Sequence, residues 1–140
     1  MILIDHNCID LTEIPDKWIE SAKDGTKLHY AHTSHGGQLI IGIQMLEESD
    51  PKYNFARGEQ ALPDAQGALC IFDGQEDKTY ITPGDYWDSS GGVEATQAVL
   101  DNNKGINVSI PGVASKLTIL RKRLRNIWIP CPLWRRKILV

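Results

Sequence analysis

Lys27-Leu28-His29-Tyr30-Ala31-His32-Thr33-Ser34-His35-Gly36-Gly37-Gln38-Leu39-Ile40-Ile41-Gly42 is the stretch that decides the fold. It reads as a short strand, then a turn rich in hydroxyl, imidazole and glycine, then the start of an amphipathic helix. Strand, turn and helix in that order form the repeating unit of α/β proteins. The turn at the end of such a strand is where those proteins place a nucleophile or an anion. Three of the four histidines, His29, His32 and His35, fall within seven positions around Ser34.

Upstream, residues 1–9 read as an extended lead-in and 11–23 as a helix. Thr12 or Pro15-Asp16 starts it, Trp18, Ile19 and Ala22 supply its apolar side, and Asp24-Gly25 stops it. The strand itself covers 26–32. Downstream, 37–48 is a helix with Leu39, Ile40, Ile43, Met45 and Leu46 apolar, closed by Asp50-Pro51. Its β-branched residues and Gly42 make burial, not propensity, its source of stability. Residues 52–66 are polar and read as a long loop. Ala68-Leu69-Cys70-Ile71-Phe72 is a continuous apolar run, as in a strand buried on both faces, ended by Asp73-Gly74. Residues 79–81 are a candidate small strand, Thr82-Pro83-Gly84-Asp85 a turn, 93–102 a helix ended by Asn103-Lys104-Gly105, and 106–110 a strand. Helices alternating with short buried strands predict an α/β fold, a three-layer α/β/α flavodoxin-like arrangement, incomplete, with about three parallel strands.

At 140 residues the chain suits one domain, but its charge divides it in two. Residues 1–110 carry all 18 acidic residues and seven basic ones, a balance of −11; residues 111–140 carry eight basic residues and no acid, a balance of +8. Ordinary domains intersperse both signs, so the change at residue 111 needs a cause. Cys8, Cys70 and Cys131 have no metal-ligand spacing; Cys8 and Cys70 are a pairing that the sequence leaves open. Met1-Ile2-Leu3-Ile4 is too short for a signal peptide, and no apolar run has the length of a bilayer span.

A serine nucleophile needs a base in hydrogen-bond geometry and donors for the developing oxyanion. Ser34, at the carboxyl edge of its strand and before a helix N-terminus, has amides nearby for the oxyanion. His29, His32 and His35 are too local to be assumed as its base, since triad partners usually come from distant chain segments; His32, two residues earlier, shares its strand face. The plainer reading is that Thr33 or Ser34 caps the helix and the histidines make buried polar contacts. A zinc site from His29, His32 and His35, with His6 added, is a further reading, although these spacings match no helical metalloprotease motif. Gly36-Gly37 and Ser90-Gly91-Gly92 are too short for a phosphate loop. Asp73, Glu76, Asp77, Asp85 and Asp88 read as a solvated acidic face rather than an acid–base pair.

The segment His32-Thr33-Ser34-His35-Gly36 resembles the first block of a divergent branch of the SGNH/GDSL-type serine hydrolases. The likeness extends to Ile4-Asp5-His6-Asn7-Cys8, Ile14-Pro15-Asp16-Lys17-Trp18-Ile19, Tyr80-Ile81-Thr82-Pro83 with Tyr86-Trp87, and Ile106-Asn107-Val108-Ser109, so it covers about residues 4–110. The resemblance implies a three-layer α/β sandwich, Ser34 as nucleophile, and hydrolysis of carboxylic esters, often acyl or acetyl groups on carbohydrate. It implies oxyanion donors that include the Ser34 amide, with Gly36 or Gly74 as further candidates and His32 and His35 as supporting groups. It implies no cofactor and no metal. It also places the base histidine near the C-terminal end, where none of the four histidines stands, and an export signal or lipoprotein leader, which the first residues do not show.

After Ile110 the resemblance stops, at the same place as the charge reversal. A shifted reading frame accounts for both. Codons permitted for Ile119 to Trp134, read from the third base of Ile119, allow Ser-Glu-Glu-Thr-Ile-Lys-Glu-Tyr-Leu-Asp-Thr-Met-Ser-Thr-Leu, an acidic amphipathic helix. The same offset at Pro111-Gly112-Val113-Ala114 allows Trp-Cys-Ser-Gln, the block that the family would show next. The competing reading of 111–140 is a basic arm, with Trp128, Trp134 and its arginines on a membrane surface or a nucleic-acid backbone; no groove-reading motif accompanies it.

The sequence therefore predicts the N-terminal part of a hydrolase domain over 1–110 and an out-of-frame tail over 111–140. The partner is a small ester or acylated carbohydrate, with no specific nucleic acid and an oligomeric state left open. The family suggests a secreted or cell-envelope setting, whereas the chain as given reads as cytoplasmic. The alternative is a non-enzymatic carbohydrate- or protein-binding remnant with Tyr86 and Trp87 as a stacking platform.

Overall fold

A computed structural model of the chain describes residues 10–75 and 77–112. Helix α1 (Asp16–Gly25) leads into strand β1 (Lys27–His32), which turns into α2 (Ser34–Ser49); β2 (Phe55–Glu59) and β3 (Leu69–Asp73) follow, then the short α3 (Pro83–Tyr86), α4 (Ser90–Asn102) and β4 (Val108–Gly112). The four strands form one all-parallel sheet in the order β2-β3-β1-β4. The α/β class is as predicted. The strand count rises from three to four, because β2 lies inside the stretch read as loop. Only Phe55 and Ala56 of β2 are apolar, and the strand sits at the sheet's edge, where polar side chains are tolerated.

Other boundaries move for local reasons. The expected helix over 11–23 is a 3-10 turn at Leu11–Glu13, capped by the Asp10 carboxylate on the Thr12 amide at 2.9 Å, and then α1. Pro15, in extended conformation, separates the two. Residues 79–81 contribute a single bridge, Tyr80 beside His32, rather than a strand. The turn at Thr82 is the start of α3, with the Asp85 carboxylate accepting the Thr82 amide at 3.0 Å. Ser89 caps α4 by accepting the Gly92 amide at 2.9 Å. Cys70 is a free, buried thiol, and the Cys8 of the pairing left open by the sequence lies outside the described residues, as do Cys131 and the tail from 113 onward.

Alternation along β1 sends its side chains to two different layers. Tyr30 and His32 face α2: the Tyr30 hydroxyl donates to the Gly36 carbonyl at 3.0 Å. His29 faces the α3 and α4 layer, its ring 5.8 Å from that of Tyr86. The connection after β1 thus leaves on one face, and that after β3, its neighbour, on the other. Adjacent strands whose successors diverge open a crevice at their carboxyl ends, the usual place for a site in such a sheet. The core around this point is small: Tyr30, Ala31, Ala68, Cys70, Ile71, Phe72, Ile81 and Val99.

Candidate functional site

Ser34 stands just past the carboxyl end of β1, as the first residue of α2 rather than in the turn three residues ahead of the helix. Its side chain is exposed, and among the described residues its hydroxyl has no hydrogen-bond partner. Thr33 precedes it in extended conformation and is buried. The Gly36 and Gly37 amides both donate to the Thr33 carbonyl, at 2.9 and 3.2 Å. The Ser34 and His35 amides therefore stand ahead of α2's own ladder, at the positive end of a 16-residue helix.

Gly36 makes this close seating possible. A Cβ at residue 36 would lie 2.4 Å from the His32 Cβ and 2.9 Å from the Tyr30 hydroxyl, so any side chain there would push α2 off β1. Gly74, after β3, has φ +97 and also fits only glycine, since a Cβ would meet the Lys78 carbonyl at 2.3 Å. As oxyanion donors, however, both are engaged: the Gly36 amide bonds Thr33, and the Gly74 amide bonds the Tyr30 carbonyl at 3.0 Å. Among the described residues, the amides of this turn without such a partner are those of Ser34 and His35.

The three histidines are not brought together. His35 is exposed on the first turn of α2, beside Ser34 in sequence. His32 is buried, with Nε2 2.9 Å from Asp73 Oδ1 and Nδ1 2.9 Å from the Thr33 carbonyl. Nδ1 donates to the Thr33 carbonyl, whereas Nε2 and Asp73 Oδ1, although 2.9 Å apart, do not meet in hydrogen-bond geometry, and among the described residues neither has another hydrogen-bond partner. His32 thus turns neither nitrogen to Ser34. His29, fully buried on the other face, donates from Nε2 to the Gly74 carbonyl at 2.9 Å and accepts at Nδ1 from Ser109 at 2.8 Å; Ser109 in turn accepts from Tyr86 at 2.5 Å. Burial pushes the His29 imidazole below its ordinary value, against the Gly74 hydrogen bond and the Asp73 charge. Burial pushes the Tyr86 phenol up. His29 and His32 lie on opposite faces and His6 lies outside the described residues, so these side chains do not converge as the zinc reading required. Among the described residues no group of three or more histidine, cysteine or carboxylate side chains converges.

The sequence reading missed Asp73 and Arg57. Asp73, taken as part of a solvated acidic face, is fully buried: Oδ1 faces His32, and Oδ2 accepts from Arg57 Nε. Arg57, in the stretch read as loop, is steadied by Glu59 at 3.2 Å. An unpaired buried carboxylate is costly, so the two partners are what allow it there. Burial, and after it the Asp73 charge, raises the Tyr30 phenol. The clue in the sequence was position: an acid closing an apolar strand run arrives at the sheet's carboxyl edge, beside whatever follows the neighbouring strand. Tyr86 and Trp87 are half-buried and packed edge to face at 5.4 Å; the aromatic ring exposed beside the Ser34 turn is Tyr80, at 58 %.

No family model, curated protein or solved structure matches this chain. Among the described residues no helix is long and apolar enough to cross a membrane.

Proposed function

We propose that the domain is built for serine-dependent hydrolysis of carboxylic esters, with Ser34 as nucleophile and acyl or acetyl groups on carbohydrate as the substrate class. The observation that carries the reading is the exposed Ser34 hydroxyl at the head of α2, just past the carboxyl end of β1, beside two amides outside the helix ladder. The hydroxyl attacks the acyl carbonyl as a base takes its proton, and the Ser34 and His35 amides receive the developing oxyanion. The ester C–O bond breaks and the alcohol leaves with that proton; water then attacks the acyl-serine to release the acid and restore the hydroxyl. The likeness of residues 32–36 to the first block of the SGNH/GDSL-type hydrolases points the same way.

The reading includes a deficiency. His29 has both ring nitrogens hydrogen-bonded elsewhere, His32 has Nδ1 on the Thr33 carbonyl and Nε2 against Asp73, and residues 111–140 contain no histidine. We infer that the stretch carrying the base is replaced by out-of-frame sequence, and that the 140-residue chain turns over slowly. p-Nitrophenyl acetate hydrolysis by this chain, by Ser34→Ala and by a chain restored in frame tests both statements. The expected result is activity in the restored chain that Ser34→Ala abolishes, and little in the present one. Full activity without Ser34 would refute the nucleophile; brisk Ser34-dependent turnover by the 140-residue chain would refute the missing base. Gene sequence around codon 111 incompatible with the offset translation would remove the frameshift.

A further inference from the structure

A fully buried carboxylate lies directly behind the serine turn, and ester hydrolysis by Ser34 does not use it. Its contacts form one line: Arg57 to Asp73, Asp73 to His32 at 2.9 Å, and His32 to the Thr33 carbonyl at 2.9 Å. The Thr33 carbonyl belongs to the peptide group whose nitrogen is that of Ser34. Two residues on, the Gly36 carbonyl is held by the Tyr30 hydroxyl at 3.0 Å. The backbone on both sides of Ser34 is therefore pinned from beneath by side chains of β1, while the hydroxyl is left to solvent. We propose that His32 and Asp73 are positioning residues for Ser34: Asp73, fixed by Arg57, holds the imidazole, and the imidazole holds the Thr33 carbonyl that sets the serine's place. The inference rests on Ser34 being the reacting group.

Stability alone is a poor account of the line. Well-packed apolar residues of similar volume stabilise as well as a buried ion pair does, or better. What the charged line supplies is direction, because a carboxylate and a carbonyl at opposite ends of one ring leave it a single orientation. Reaction rates respond steeply to such placement, and a displacement of about 1 Å can slow chemistry about a hundredfold.

The two ring nitrogens can be tested separately. The amide nitrogen of an asparagine falls near the place of Nδ1, and that of a glutamine near the place of Nε2. In the full chain, His32→Asn keeps a donor for Thr33 and loses Asp73; His32→Gln keeps Asp73 and loses Thr33. The measurement is the rate of Ser34 labelling by a fluorophosphonate, resolved into probe affinity and bond-forming rate. The expected result is a bond-forming rate about three- to tenfold slower for His32→Asn, whose donor to Thr33 is no longer held by Asp73, and about ten- to a hundredfold slower for His32→Gln, with affinity unchanged in both. Equal rates in the two variants would overturn the proposal. If the wild-type chain takes up no label, the nucleophile reading fails separately, and hydrogen exchange of the amides of residues 33–37 decides the positioning claim. Faster exchange there in His32→Gln alone upholds it, and identical exchange in the two variants overturns it.

Discussion

His29 and His32 are three residues apart on one strand, both buried, and they live in opposite chemical regimes. On the α2 face, His32 belongs to a charged line with Asp73 and Arg57. On the α3 and α4 face, His29 belongs to a neutral relay in which each hydroxyl donates onward, Tyr86 to Ser109 and Ser109 to the ring. The charged line ends at the backbone of an exposed serine; the neutral relay ties β1, β4, α3 and the loop after β3 together and reaches no exposed reactive group. Burial by itself therefore does not mark the functional face. The marker is a buried charge whose compensation runs toward the surface.

The largest expected effect comes from breaking the charged line. Asp73→Ala leaves Arg57 and His32 without their shared carboxylate, and urea unfolding at neutral pH should show a loss of about 3 kcal/mol, the low end for a broken buried pair because the Arg57 side chain is 35 % exposed. A loss below about 1 kcal/mol would mean that the line behaves as a surface pair. Gly36→Ala comes next: forcing a Cβ against His32 should cost about 2 kcal/mol by the same measurement, since α2 must shift to admit it.

The scaffold of this contrast was visible in the sequence; the contrast itself was not. The strand over 27–32 stands where the patterning put it, paired with the apolar run Ala68-Leu69-Cys70-Ile71-Phe72, and the helix after it begins three residues earlier than predicted, at Ser34. β2 was not visible, because Arg57, Gly58 and Glu59 carry no strand signal and are extended only through pairing with β3. For the same reason the site was half legible: Ser34 could be singled out from its own neighbours, whereas Asp73 and Arg57 join it only through the register of three strands. The cluster of three histidines misled, since alternation on β1 separates two of them by the thickness of the sheet.

The neutral relay should be less costly to break. Ser109→Ala leaves His29 Nδ1 without its donor, and a loss of about 1 kcal/mol is expected, the lower end for an orphaned polar group because Ser109 is half-buried. The smallest effect is on pH dependence. His29 has its imidazole value lowered by burial in the folded state, so the unfolded chain takes up the proton first as pH falls. Its contribution to stability should be complete above its ordinary value of 6.5 and decline as pH drops below that, and His29→Asn should flatten the slope in that window. A slope unchanged in that variant would place the titration elsewhere.

The most direct test of Ser34 as nucleophile is mass-spectrometric mapping of a fluorophosphonate adduct on the intact 140-residue chain. The account predicts a single adduct on the peptide containing Ser34, forming slowly because the base is missing, and absent from Ser34→Ala and from heat-unfolded protein. An adduct on Ser109, or none on folded protein whose Gly36 and Gly37 amides are protected as the structure requires, would contradict it.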